Sequence, residues 1–174
     1  MTDKDDKHQP KAYENMLERV TEAMEKAGEE ARPRLRDALR RARERAVELG
    51  ELTREEAERI SEYIRRDVED AARYLSHRDD DLAGWFRMDL QLIENWLIDN
   101  FSSIADRTKL ELQEFNETLA RAARWHTGEI TGPGQLRCLA CSKVLEFTKA
   151  GHVPPCPACS GTKYERVTRA DSQP

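Results

Sequence analysis

The four cysteines of the chain are the residues whose type and spacing most clearly predict chemistry. They form two C-x-x-C pairs, Cys138 with Cys141 and Cys156 with Cys159, and 14 residues separate the pairs. Each pair can form a tight knuckle that places two sulfur atoms on one side of a metal ion. Four thiolates complete the tetrahedral shell that zinc prefers, so the pattern predicts one structural Zn²⁺ ion with these four ligands.

A dithiol redox centre is the competing interpretation of paired cysteines. Such a centre typically uses one C-x-x-C at the start of a helix, and no helical pattern follows either pair here. A shell of four sulfurs leaves no position for water, so the zinc ion would be structural and not catalytic. His152 lies between the pairs, but the shell is already complete, and we expect this histidine in a solvent-facing loop.

The composition favours long solvated helices over a globular α/β enzyme. Of the 174 residues, 36% are charged and 38% are hydrophobic, with only 8 glycines and 7 prolines. The sequence contains no P-loop, no dinucleotide fingerprint and no clear nucleophile–base arrangement. We therefore expect a protein without enzymatic activity.

The charge is distributed unevenly along the chain. Up to residue 130 there are 23 Lys and Arg against 31 Asp and Glu, and after it 6 against 3. Phosphate affinity requires clustered cations, so only the C-terminal part could contact nucleic acid.

The chain shows neither a signal peptide nor a run of about 18 apolar residues. A cytoplasmic protein without membrane contact is expected, and in that reducing compartment metal binding is favoured over disulfides.

The first half of the chain predicts a helical hairpin. An apolar stripe with steps of three and four runs from residue 11 to residue 49, and because it keeps its phase across Pro33 we expect a bend within one rod. In the segment "LGELTREEAERI", Gly50 can end this helix in the left-handed conformation. Thr53 and Glu56 form a capping box that starts the next helix. A short connection of this kind predicts antiparallel helices.

Two further helices and a ribbon complete the predicted order. The bulkiest apolar residues predict a helix from Leu82 to Ile104, and Thr108 with Glu111 forms a second capping box for a helix from about residue 109 to 125. His126 would then interact with the end of that helix dipole. After it, "KVLEF" and "TKYERV" alternate as strands do.

The predicted fold class is mainly α: a long antiparallel helical hairpin or bundle with a small C-terminal β zinc ribbon. The predicted domains are a disordered N-terminus (1–10), the helical body (11–127), a Gly/Pro linker (128–135), the zinc ribbon (136–168) and a disordered tail (169–174). This two-part architecture implies that Cys138→Ser or Cys156→Ser unfolds the ribbon and leaves most of the helical circular dichroism intact.

Cations and aromatic residues alternate in the ribbon, and they are candidates for nucleic-acid contact because bases can stack on the rings. The candidate residues are Arg137, Lys143, Phe147, Lys149, Lys163, Tyr164 and Arg166. Two net negative charges remain on a zinc ion with four thiolates, and they reduce the positive charge of this region.

Three parts of the sequence together resemble the bacterial YbeL-like family of zinc-ribbon proteins. They are the segment "GELTREEAERISEYIRRDVEDAARYL" from Gly50 to Leu75, the block "WHTGE" from Trp125 to Glu129, and the glycine linker that leads into the C-x-x-C pairs. The similarity spans about residues 13 to 167. It implies a cytosolic helical protein that ends in a zinc ribbon with the four cysteines as ligands, and it adds little about function.

Three hypotheses about function remain open. The first is a non-enzymatic adaptor or regulator that binds a protein partner, or a second copy of itself through the helices. The second is a regulator of a nucleic-acid machine such as RNA polymerase or the ribosome, with a ribbon that contacts RNA or DNA. The third is a zinc–thiol redox sensor that loses its metal on oxidation.

Overall fold

The computed structural model describes residues 3–26, 34–77, 82–114 and 123–168. The helices are α1 (Asp3–Lys26), α2 (Leu35–Glu48), α3 (Arg54–His77), α4 (Ala83–Phe86) and α5 (Asn95–Glu114), with a 3₁₀ turn at Leu90–Leu92 before α5. The strands are β1 (Trp125–His126), β2 (Ile130–Thr131), β3 (Gly134–Cys138), β4 (Val144–Phe147), β5 (Gly151–His152) and β6 (Lys163–Arg166). The predicted fold class is confirmed: a mainly α protein with a small antiparallel β region at its C-terminal end. In the described part of the chain, no helix is long and apolar enough to cross a membrane.

The turn between α2 and α3 forms as its sequence predicts. Gly50 has a φ of +69°, and the N–H groups of Gly50 and Glu51 donate to the carbonyl oxygens of Val47 and Ala46, both at 3.0 Å. This pair of hydrogen bonds is the Schellman arrangement that ends a helix. Thr53 and Glu56 then exchange hydrogen bonds, since the Thr53 N–H donates to the Glu56 carboxylate at 2.8 Å and the Glu56 N–H donates to the Thr53 hydroxyl at 3.2 Å. These local contacts reverse the chain and start α3.

The prediction of one bent rod from residue 11 to residue 49 is wrong. Helices α1 and α2 pack side by side in opposite directions: Arg19 of α1 forms an ion pair at 2.7 Å with Glu51, which follows the end of α2. A stripe that keeps its phase does not distinguish a bent rod from a hairpin, because both halves present the same apolar face to a core. The hairpin buries that face. Pro33 itself lies outside the described residues.

Three other predicted boundaries also differ from the structure. The aromatic segment is not one helix, because Arg87 takes a φ of +51° and ends α4 after four residues. Helix α5 runs through Thr108, which is buried inside it and caps nothing. Residues 3–10 belong to α1, where a disordered start is predicted. The predicted tail from residue 169 onward lies outside the described residues.

The sheet is larger than the predicted ribbon, and it is packed on the helices. Four strands pair in the order β1-β6-β3-β4, and β2 pairs with β5 in a separate two-stranded sheet. Trp125 pairs with Tyr164 across β1 and β6, so the strand begins where the end of a helix is predicted. Residues 130–134 are all buried, and the segment predicted as a Gly/Pro linker is therefore part of the interface between ribbon and bundle.

Asp67 of α3 lies at the centre of that interface. Its carboxylate is fully buried and accepts four hydrogen bonds: from the Tyr13 hydroxyl (2.7 Å), the Gly132 backbone N–H (2.7 Å), the Trp125 indole N–H (2.9 Å) and the Arg66 Nε (3.1 Å). All four partners are donors, and they come from α1, α3, β1 and the segment before β3. A buried carboxylate is stable only when such partners satisfy it, so this group fixes the position of the ribbon on the helices.

Arg166 of β6 inserts into the same region from the ribbon. Its side chain is 2% exposed, and its guanidinium lies between two rings, 4.4 Å from the Trp85 centroid and 4.9 Å from the Trp125 centroid. It donates hydrogen bonds to the carbonyl oxygen of Pro133 (3.1 Å) and the hydroxyl of Thr131 (3.0 Å). Burial lowers the pKa of Arg166, and the nearby Asp67 carboxylate acts in the opposite direction. Stacking on aromatic faces is favourable for a guanidinium that has lost its water.

We predict that Gly50→Ala lowers the free energy of unfolding by about 1 kcal/mol, because an L-residue is strained in the left-handed conformation. Nothing lies within 4 Å of the added Cβ atom, so the cost is conformational and not steric. Gly50→Asn is the matched control and should cost less, since Asn tolerates this conformation. Urea unfolding followed by circular dichroism measures both variants. A larger loss for Asn than for Ala would contradict the prediction.

We also predict that Asp67→Asn, which hardly changes the volume, lowers the free energy of unfolding by about 2 to 3 kcal/mol. The reason is that every partner of Asp67 donates, and the new amide N–H₂ would face donors. Glu62→Gln on the same helix is the control, because Glu62 forms an exposed ion pair with Arg65 that is worth about 0.5 kcal/mol. Chemical denaturation of the three proteins tests this, and equal stabilities for the two variants would contradict it.

Candidate metal centre

The four cysteines come together at the end of the ribbon. One ligand atom from each of Cys138, Cys141, Cys156 and Cys159 lies within 4.8 Å of all the others. The sulfur atoms of Cys138 and Cys159 are 3.7 Å apart, and those of Cys141 and Cys156 are 3.5 Å apart. Zinc–sulfur bonds of about 2.3 Å at tetrahedral angles require an edge of about 3.8 Å. The sulfur cluster therefore fits one zinc ion with four ligands.

The two knuckles share one backbone geometry. Ser142 and Ser160 follow the two C-x-x-C pairs, and both are left-handed, with φ of 63° and 58°. Their N–H groups donate to the carbonyl oxygens of Cys138 and Cys156, at 2.9 and 2.8 Å. Each turn thus folds the second cysteine of a pair back beside the first. The repeated serine in "CLACS" and "CPACS" is visible in the sequence, but its conformational role is apparent only from the structure.

Gly161 provides the space that the sulfur atoms need. A Cβ atom at this position would lie 2.9 Å from the Cys138 sulfur and 3.2 Å from the Cys159 sulfur, which is closer than side-chain atoms normally approach. The Gly161 N–H also points at the Cys159 sulfur, at 3.4 Å. Such backbone donors orient thiolate ligands and offset their charge. No sequence signal identifies this close approach, because it joins residues of opposite knuckles.

The pKa values of the two cysteines in the second pair are shifted in opposite directions. Burial acts to raise the pKa of Cys156, but hydrogen bonds from the backbone N–H groups of Ala158 and Cys159 lower it to about 7. The Gly161 N–H acts to lower the pKa of Cys159, but hydrogen bonds with Cys141 and the other sulfur atoms raise it to about 12. A divalent cation supplies the positive charge that allows all four sulfurs to bind as thiolates.

Two histidines do not occupy the predicted positions. His152 lies in β5, where it pairs with Ile130 of β2 and is half-buried, so the prediction of a solvent-facing loop is wrong. It is not among the clustered metal ligands. His126 lies in β1, opposite Lys163, and does not end a helix. Its backbone N–H donates to the Glu129 carboxylate at 3.0 Å, which closes the turn of the "WHTGE" block.

The candidate residues for nucleic-acid contact separate into buried and exposed groups. Tyr164 is fully buried and donates to the Pro154 carbonyl oxygen at 2.7 Å, and Arg166 is enclosed at the interface with the helices. Neither side chain can contact nucleic acid in this structure, and the prediction is wrong for these two. The other five candidates are exposed or half-buried: Arg137, Lys143, Phe147, Lys149 and Lys163. Strand alternation explains the difference, since Tyr164 and Arg166 lie on one face of β6 and Lys163 on the other.

We predict that Cys156→Ser abolishes stoichiometric zinc binding and also lowers the melting temperature of the helices. The reason is that β6 carries Tyr164 beneath the metal centre and Arg166 at the buried carboxylate of Asp67. Loss of the ribbon removes this guanidinium and the Trp125 and Gly132 donors from a carboxylate that stays buried in the helices. This expectation replaces the one drawn from a two-part architecture. Elemental analysis and thermal melts followed by circular dichroism measure the two effects.

Ser142→Gly is the control for the zinc-site variant, because glycine adopts the left-handed conformation readily and should keep both the metal and the melting temperature. If the helices of Cys156→Ser melt at the temperature of the unchanged protein, the ribbon and the bundle are energetically independent. That result would contradict the prediction.

Comparison with known proteins agrees with this geometry. The family model described as "Zinc-ribbon containing domain" matches residues 8–168. "Uncharacterized protein YbeL" of Escherichia coli, in strain K12 and likewise in strains O6:H1 and O157:H7, is 31% identical over 77 residues. The match covers 44% of this chain and 48% of the relative, so the chain spans about half the length of the curated relatives it matches. No solved structure matches.

The resemblance to the YbeL-like family is therefore confirmed, and with it the assignment of one structural zinc ion to the four clustered cysteines. The "WHTGE" block is the segment through which the ribbon docks on α3: Trp125 donates to Asp67 at 2.9 Å, and Glu129 pairs with Arg66. The match to the family model over residues 8–168 shows that the chain belongs to the family of zinc-ribbon containing domains.

Proposed function

We propose that this protein acts by binding another protein, that it catalyses no reaction itself, and that the zinc ribbon is the contacting module. A zinc ion with four sulfur ligands has no open position for a substrate or water, so its role is to hold the ribbon in shape. The observation that carries the proposal is the burial of Arg166 and Tyr164 inside the protein. Both belong to the residues that nucleic-acid binding through the ribbon would use, and their burial makes them inaccessible to it.

The remaining cations of the ribbon provide weaker support for nucleic-acid binding. Arg137 forms an ion pair with Glu165 at 2.6 Å, and Arg124 approaches the same carboxylate at 3.5 Å. Backbone binding to single strands depends on a continuous positive groove with aromatic platforms. Glu165 already neutralises both Arg137 and Arg124, so the exposed face of the sheet is mixed in charge. Mixed polar surfaces are common in protein–protein contacts.

A ribbon that contacts RNA or DNA is the second candidate, since Lys143, Lys149 and Lys163 are exposed. It predicts binding that weakens steeply with salt, because each neutralised phosphate releases counterions. It also predicts that Lys143→Glu combined with Lys163→Glu abolishes that binding. Protein binding predicts contacts that persist after nuclease treatment and change little with moderate salt.

We expect the tagged protein, expressed at its native level, to retain a defined protein partner after nuclease treatment. Affinity purification with and without nuclease, followed by mass spectrometry, measures this. The zinc-loaded protein is also titrated into fluorescently labelled single-stranded RNA, where anisotropy should show no salt-sensitive binding. Capture that disappears with nuclease, together with RNA binding that the double lysine variant loses, would overturn the proposal in favour of the second candidate.

A further inference from the structure

Strand β4 forms an open edge of the ribbon sheet. The strand order β1-β6-β3-β4 places this four-residue strand at the end of the sheet, and among the described residues no strand pairs with its outer side. The open edge of a sheet presents backbone donors and acceptors to solvent, and partner proteins use such edges to add a strand. The opposite edge, β1, has only two residues.

The hydrogen-bond pattern shows which backbone groups of β4 point outward. The Cys138 N–H donates to the Lys143 carbonyl oxygen at 2.8 Å, in register with the β3–β4 pairs Leu136 with Leu145 and Arg137 with Val144. Bonded and non-bonded pairs alternate along an antiparallel ladder. Leu145 and Phe147 therefore bond to β3, whereas the N–H and C=O groups of Val144 and Glu146 point away from the sheet.

The side chains along this edge combine apolar contact area with positive charge. Val144 is 40% exposed, and the other two apolar residues of the strand, Leu145 and Phe147, are half-buried. Lys143 precedes the strand and Lys149 follows it, and both are exposed. Glu146, between them, accepts a hydrogen bond from Gln135 at 3.1 Å. A segment added to this edge would meet the apolar side chains of β4, one carboxylate among them that already accepts a hydrogen bond from Gln135, and a lysine at either end.

We infer that β4 is a docking edge for an extended segment of a partner protein, with alternating apolar side chains and acidic residues at its ends. The inference rests on the proposed function and specifies the surface and the chemistry of the partner. Backbone groups of Val144 and Glu146 bond to the added strand, and Lys143 and Lys149 attract its acidic ends. A second copy of β4 fits less well, because it would bring two more lysines to the same edge.

The probe is a phage-displayed library of random peptides, selected on the zinc-loaded full-length protein. Selected peptides should alternate apolar residues and carry Asp or Glu near their ends. In the unchanged protein, the amide hydrogens of Val144 and Glu146 should exchange rapidly, and a bound peptide should protect them. The Leu145 amide, which bonds to β3, should be protected in both states. Nuclear magnetic resonance of the labelled protein measures these exchange rates.

Glu146→Pro removes one outward N–H group without removing a bond to β3, and it should weaken peptide binding about tenfold. Glu146→Ala is the matched control, since it removes the carboxylate and keeps the N–H, and its affinity should remain within about twofold. Zinc content and protection of the Leu145 amide verify that the proline variant keeps its sheet.

Several results would overturn the inference: no peptide is selected, a bound peptide leaves the Val144 and Glu146 amides unprotected, or Glu146→Pro binds as tightly as Glu146→Ala. Protection of these amides that rises with protein concentration would assign the edge to a second copy, and protection by single-stranded RNA would assign it to nucleic acid. If a nuclease-resistant partner binds Glu146→Pro normally, the docking edge is wrong and the proposed function stands.

Discussion

A carboxylate that has been removed from water must be surrounded by donors, and this constraint on Asp67 determines how the protein is assembled. Tyr13 lies 54 residues before Asp67 in the chain, Gly132 lies 65 residues after it, and both donate to the same carboxylate oxygen at 2.7 Å. No short segment could satisfy the group. The desolvation cost is fully offset only when α1, α3, β1 and the segment before β3 are all in place. Assembly of the bundle and docking of the ribbon therefore depend on one another.

Strand β6 connects the metal centre to this buried carboxylate. In β6, Tyr164 packs below the knuckles and Arg166, two residues further on, projects from the same face into the bundle. The ribbon's own core is small and consists of Trp125, Leu136, Val153 and Tyr164 with the buried cysteines. Metal binding gives such a unit most of its folding free energy. Metal binding therefore also stabilises the helices, because the strand that the metal centre holds in place carries the Arg166 guanidinium.

The same alternation determines which surface is left for binding. Inward residues of β3 and β6 are used by the metal centre and the bundle, whereas outward residues form a solvated ladder of mixed charge. Within the part of the chain that the structure describes, no strand pairs with the outer side of β4, so Val144 and Glu146 keep backbone groups available to a partner. A rigid metal-bound ribbon holds this edge open at little entropic cost, and a preorganised edge is the kind of surface that an extended segment can bind.

The sequence by itself determined the features that depend on neighbouring residues. The four zinc ligands follow from the spacing of the cysteines, and the turn at Gly50 with its Thr53–Glu56 capping box follows from contacts within a few residues. The mainly α class follows from the apolar period. Each of these signals is local, so the chain does not need to be folded for it to be recognised.

Only the tertiary structure decided the rest. The fold-back of α1 on α2, the break at Arg87, the strand at Trp125 and the burial of Arg166 all depend on contacts between distant residues. An arginine in an alternating strand looks the same in sequence whether it faces water or a pair of tryptophan rings. Its environment is set by what packs against that face, and the partners Asp67, Trp85 and Trp125 lie between 41 and 99 residues away. Local patterns carry no information about such pairings, because packing energy depends on distance in space and not on separation along the chain.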